Sequence, residues 1–189
     1  MSSLLPLESA NFPGSATMPW KSTFNRYELV ACGNGTFAAG LPMLPRGKML
    51  MFDSIVDAQP HGGQFGLGFI RATLKINPTL WFFDEHFKDD PVMPGCLGLD
   101  ALWQLLGFFT VISGARGKGR AIGVGEVKFS GEVLPEHHLV TYDVVIKRLI
   151  RGGSTRKWIA AGDGYVSRDG EPIFRAMNLM VAVLPKIAA

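Results

Sequence analysis

Hydrophobic positions along this chain fall into two regimes. From Leu97 to Ile112 (LGLDALWQLLGFFTVI) nearly every side of a helical wheel is apolar, which predicts a helix enclosed by other elements. After a Gly/Arg/Lys loop from Ser113 to Gly119, four runs have strand character: Ala121 to Val133, His138 to Ile150, Arg156 to Ser167 and Pro172 to Leu184. The second is the clearest, with Val140, Tyr142, Val144 and Ile146 alternating onto one face. Gly152-Gly153-Ser154 and Arg168-Asp169-Gly170 predict hairpin turns. Upstream, Met49 to Asp57 and Gln64 to Ile76 predict another hairpin around His61-Gly62-Gly63, and Gly40 to Gly47 an irregular connection. Phe24 to Cys32 predicts a short helix ended by Gly33-Asn34-Gly35. Residues 1–23 are rich in Ser and Pro without a period, so a loosely held arm is expected before a single domain over 24–189.

One long buried helix and about six strands, mostly joined by hairpins, predict an α+β fold: an antiparallel sheet curled around a central helix. Such a sheet keeps an open edge. Pairing of two copies through their edges is the natural remedy.

Composition narrows the class. A chain of 189 residues, 47% hydrophobic and 19% charged, is an ordered domain able to bury a sizeable core. Its net charge of +3 gives no pointer to nucleic acid. Cys32 and Cys96 are read as free thiols of a reducing compartment. The first twenty residues lack the pattern of a secretory signal, and Asp100 and Gln104 interrupt the one long apolar run. A soluble, cytoplasmic protein without a membrane span is expected.

The chemistry concentrates before and inside the apolar helix. Asp100 and Gln104 lie four residues apart, on one helical face. A carboxyl group among Leu97, Leu99, Ala101 and Leu102 is costly unless it is paired or neutral, and a buried carboxyl that keeps its proton is a candidate general acid. The plain alternative is an early-turn acid that merely complements the helix dipole. His86, fourteen residues earlier, is a candidate general base, or a structural histidine beside aromatics. Gly95 and Cys96 lead into the helix, where backbone N–H groups can stabilise developing negative charge. Cys96 as a nucleophile is the rival enzymatic reading.

Two other segments carry less. Gly114 to Gly123 follows a helix and precedes a strand, the reverse of a dinucleotide fingerprint, and lacks a P-loop ending. His137-His138 has no partners at metal-ligand spacing and reads as an exposed turn. Five cations without an acid, Lys147, Arg148, Arg151, Arg156 and Lys157, form either a solvated hairpin end or a dock for an acidic partner.

The segment WFFDEHFKDDPVMPGCLGLDALWQLLGFF, followed by GKGRAIGVGEVKFSGEVLP, closely resembles the bifunctional 3-hydroxydecanoyl-acyl-carrier-protein dehydratase/isomerases of bacterial unsaturated fatty acid synthesis. The likeness extends more loosely from about Tyr27 to Val183. Plain 3-hydroxyacyl dehydratases of that superfamily usually carry Glu where this chain has Asp100. Asp84 and Glu85 depart from the small or neutral residues usual before the histidine.

The resemblance implies a hot-dog fold and a homodimer with two interface sites, the histidine of one subunit facing the aspartate of the other. It implies no metal or organic cofactor, and a substrate carried on the phosphopantetheine arm of an acidic acyl-carrier protein. His86 and Asp100 are then the expected base and acid. Gly95 is the expected oxyanion donor, with Cys96 beside it. Gln104 is expected to hold Asp100, and the Val92 carbonyl to fix the histidine tautomer. Arg120 matches a family position near the site.

Overall fold

The structure is a computed structural model and describes residues 20–37, 44–152 and 157–185. Its elements follow from local chemistry. Helix α1 (Arg26–Asn34) opens on a capping box, in which Asn25 and Glu28 bond each other's backbone N–H, and closes on Gly35 in the left-handed region. A 3-10 turn at Gly47–Met49 leads to β1 (Ser54–Gln59), which pairs antiparallel with β2 (Phe69–Lys75). The short α2 (Trp81–Glu85) and the long α3 (Gly95–Ile112) follow. The remaining strands are β3 (Lys118–Gly123), β4 (Glu126–Phe129), β5 (Leu139–Arg151), β6 (Trp158–Arg168) and β7 (Glu171–Leu184).

The seven strands form one antiparallel sheet in the order β1-β2-β5-β6-β7-β3, with β4 also on β7. α3 lies in its concave face against β7, β6, β5 and β2. By length and composition α3 could cross a membrane, but the wrapped sheet supplies its apolar surroundings instead, and Ala101, Leu102, Leu105 and Leu106 have no exposed surface. This is the predicted α+β arrangement.

Several boundaries differ from the sequence reading. The expected strand from Met49 begins only at Ser54, because the chain first passes α3 with Met51 and Phe52 buried. The expected strand from Gln64 begins at Phe69, because Gly63, Gly66 and Gly68 take positive φ and form a loop. The single strand expected over Ala121 to Val133 is two. β3 and β4 lie end to end along β7, facing residues 180–184 and 174–177.

The break stands opposite an irregularity in β7. Asn178 is left-handed (φ 55°), and its N–H donates to the Asp163 carboxylate at 2.9 Å instead of extending the ladder. β7 carries an extra residue there, where Gly162 faces Leu179 and Gly164 faces Ala176. A second bulge sits on β5 at Lys147, whose Nζ reaches Asn178 Oδ1 at 2.9 Å and Asp163 Oδ1 at 3.3 Å. Asp163 thereby ties two bulges together.

Of the expected arm, residues 1–19 lie outside the described residues. Trp20 is held: its indole N–H donates to the Ala58 carbonyl at 2.8 Å and its ring meets Phe109 edge-on. The turn expected at Gly152-Gly153-Ser154 also falls largely outside the described residues.

Candidate active site

His86 stands where α2 ends. Phe82 and Phe83 are buried and anchor that short helix. The His86 Nδ1 lies 2.9 Å from the Val92 carbonyl oxygen, and the Val92 N–H donates back to the His86 carbonyl at 2.8 Å. A carbonyl only accepts, so Nδ1 carries the hydrogen and Nε2 is left with its lone pair when the ring is neutral. Met93 N–H donates to the Val133 carbonyl, which pins the segment between His86 and α3.

His86 lines a cavity of about 570 Å³ together with Gly95, Cys96, Leu99, Phe129 and Tyr142. Pro94 provides no side-chain cap for α3, so the first N–H groups of the helix open at this wall. Gly95 is required there for space. A Cβ at Gly95 would come within 2.6 Å of the Phe129 ring, which stacks on Phe174 at 4.6 Å.

Asp100 lies elsewhere. It is half-buried and lines a different pocket, about 430 Å³, with Trp103, Gln104 and Arg120. Its apolar neighbours argue for burial, with an early-turn acid as the alternative. The sheet buries the Leu102 and Leu105 side of α3, whereas Asp100 turns toward a pocket walled by Leu44, Pro45 and β3. Gln104 holds it: Nε2 donates to Asp100 Oδ2 at 2.6 Å and to the Met49 carbonyl at 2.8 Å. The Gln104 Oε1 accepts the Met51 N–H at 3.3 Å. Because that N–H can only donate, the amide cannot flip, and Oδ2 of Asp100 is committed as an acceptor. Arg120 donates to the Gly119 carbonyl while lining the same pocket.

Cys96 is exposed and Cys32 buried, and both are free thiols. Burial pushes the Cys32 thiol up to about 11. Among the five cations, Lys147 is engaged with Asp163 and Asn178, and Arg151 covers the Trp158 ring at 5.1 Å. Arg148 and Lys157 are exposed, and Arg156 lies outside the described residues. At the histidine pair, His137 Nδ1 accepts the Leu134 N–H and His138 faces Asp169, the surface turn expected. Among the described residues no group of three potential ligands could hold a metal ion.

Residues 44–177, which contain both His86 and Asp100, match the FabA-like domain. The chain belongs to that family. Two solved structures share the fold of this FabA-like domain. The dehydratase heterocomplex ApeI:P from Xenorhabdus doucetiae is 10% identical, with a TM-score of 0.52 over 76% of this chain and 88% of that one. An uncharacterized protein from Pyrococcus horikoshii is 8% identical, with a TM-score of 0.51 over 79% and 95%. The hot-dog fold implied by the sequence is therefore the fold of this FabA-like domain.

Two features of the site escaped the sequence. Phe129, on β4, limits the space over Gly95, and only the register of β4 on β7 places it there. Tyr142 was legible as a buried-face residue of β5. That its hydroxyl is sealed from solvent without a hydrogen-bond partner was not.

Proposed function

We propose that this FabA-like domain is a homodimeric 3-hydroxyacyl-acyl-carrier-protein dehydratase that also isomerises the ten-carbon product. The observation that carries the proposal is the His86 ring: its tautomer is fixed by Val92, and it faces an apolar cavity at the uncapped start of α3. Dehydration needs a base at C2, an acid at the C3 hydroxyl and a donor for the thioester oxygen. His86 Nε2 takes the C2 proton. The Gly95 N–H receives the carbonyl oxygen as enolate character develops. The C3–O bond breaks as Asp100 gives its proton to the leaving hydroxyl, which departs as water.

Gln104 occupies Oδ2 of Asp100, so the transferable proton resides on Oδ1. Since His86 and Asp100 line different pockets of one chain, the acid that serves a given histidine comes from a second copy. For isomerisation the same imidazole removes a C4 proton and returns one to C2, turning trans-2-decenoyl into cis-3-decenoyl thioester. The exposed Arg148 and Lys157, with Arg151, meet the acidic carrier protein.

Incubation with 3-hydroxydecanoyl thioester, followed by chromatographic separation of the products, tests the reading. Both enoyl isomers are expected. The trans-2 product alone would reduce the enzyme to a dehydratase, and absence of turnover would leave an acyl-binding module and overturn the proposal.

A further inference from the structure

The hydrogen bond at His86 does not fix the ring by itself. Nδ1 is tied to the Val92 carbonyl at 2.9 Å, but a carbonyl oxygen accepts over a broad range of directions, so the imidazole plane can still tilt about that contact. The side chain that stops the tilt is the next one in the chain. The Phe87 ring lies against the imidazole with centroids 3.6 Å apart and planes inclined by 31°.

Phe87 is held there by its own turn. Its N–H donates to the Asp90 carbonyl at 2.9 Å, the Asp90 N–H returns to the Phe87 carbonyl at 3.1 Å, and Asp89 between them is left-handed (φ 64°). Core packing does not account for the ring. Phe87 is 55% exposed, whereas Phe82 and Phe83 on the preceding helix are buried. Nor does Phe87 line the His86 cavity, so it is not placed to hold an acyl chain. Its aromatic partner is the imidazole. Such stacking serves a general base in two ways. It keeps Nε2 on one line of approach. The face of a phenyl ring also carries the negative end of its quadrupole, which favours the imidazolium that forms when Nε2 takes a proton.

We propose that Phe87 is a positioning residue for His86: its ring holds the imidazole plane and supports the positive charge that builds there during the reaction. The proposal rests on the reading of His86 as the base that takes the C2 proton, and adds a residue to it that touches neither substrate nor the reacting atoms.

Dehydration of 3-hydroxydecanoyl N-acetylcysteamine thioester by full-length wild type, Phe87→Leu and Phe87→Tyr, together with proton NMR of the histidine rings, tests it. Phe87→Leu is expected to lose on the order of tenfold in kcat at an unchanged KM, and Phe87→Tyr to recover most of that loss. The His86 ring protons, identified by their absence from His86→Ala, are expected to move downfield in Phe87→Leu as the shielding ring is removed. Both Phe87 variants are expected to melt with wild type, because the side chain is largely exposed. Unchanged kcat in Phe87→Leu, a rise in KM alone, or an unmoved His86 signal would overturn the positioning role and leave the dehydratase reading standing. So would a Phe87→Tyr variant as slow as Phe87→Leu. No turnover by wild type would overturn the dehydratase reading and this role with it.

Discussion

The two pockets beside α3 are built in opposite ways. The His86 cavity is almost wholly apolar, and Gly95 and Cys96 bring the start of α3 to its wall. The Asp100 pocket is the more polar of the two, and its acid is held by an amide already bound at Met49 and Met51. A chain-binding slot needs apolar walls. A proton donor needs a fixed orientation and an approach route. One helix supplies both by presenting different faces of its first turns, so each half-site can be rigid on its own. In the proposed reaction neither half works alone, which makes the assembly of two chains part of the proposed catalytic machinery.

The strongest way to break that contrast is to disable each half in a different chain. Asp100→Asn and His86→Ala are each expected to lose about a thousandfold in kcat. Co-refolding the two inactive variants should restore roughly a quarter of wild-type activity, because half the dimers are mixed and each holds one intact site. No recovery in a steady-state assay would place both groups in one chain's site.

A smaller loss is expected at the apolar half. Gly95→Ala puts a methyl group against Phe129, and displacement of the thioester end is expected to lower kcat/KM by about a hundredfold. Unchanged kinetics would show that the thioester does not approach Gly95.

At the polar half, Gln104→Leu strands the Met49 carbonyl and the Met51 N–H. A stability loss of about 2 kcal/mol is expected in urea unfolding, with a fall in kcat. Full stability would mean those backbone groups find other partners. The smallest effect is expected outside both pockets. Arg148→Glu with Arg151→Glu should raise KM for carrier-linked substrate by about tenfold, in a salt-sensitive way, while leaving the N-acetylcysteamine substrate unaffected. Equal effects on both substrates would place those arginines at the chemistry instead of the docking face.

The sequence was most informative where one residue type leaves one structural option. The apolar wheel of Leu97 to Ile112 had to be enclosed, and the spacing of Asp100 and Gln104 had to put them in contact, as the 2.6 Å bond bears out. It was least informative where neighbours across the sheet decide the outcome. The split of β3 from β4 is written in Asp163, forty residues later, because that carboxylate takes the Asn178 N–H. A single turn such as Trp81–Glu85 is too short for periodicity to register. The exposure of Asp100 was misjudged because apolar sequence neighbours lie around the whole wheel, while the sheet covers only part of it.

The Asp163 junction has a consequence for how variants of the cationic strand are interpreted. Lys147 belongs to the basic run by sequence, yet its ammonium is stitched to a carboxylate with only 6% of its side chain exposed, and to the amide of a left-handed residue. Reversing its charge would set two acids side by side at a point where adjoining strands depend on each other's irregularities. Partner affinity lost in such a variant would report a loosened sheet, and a charge-reversal scan that includes Lys147 would credit recognition with an effect that belongs to folding.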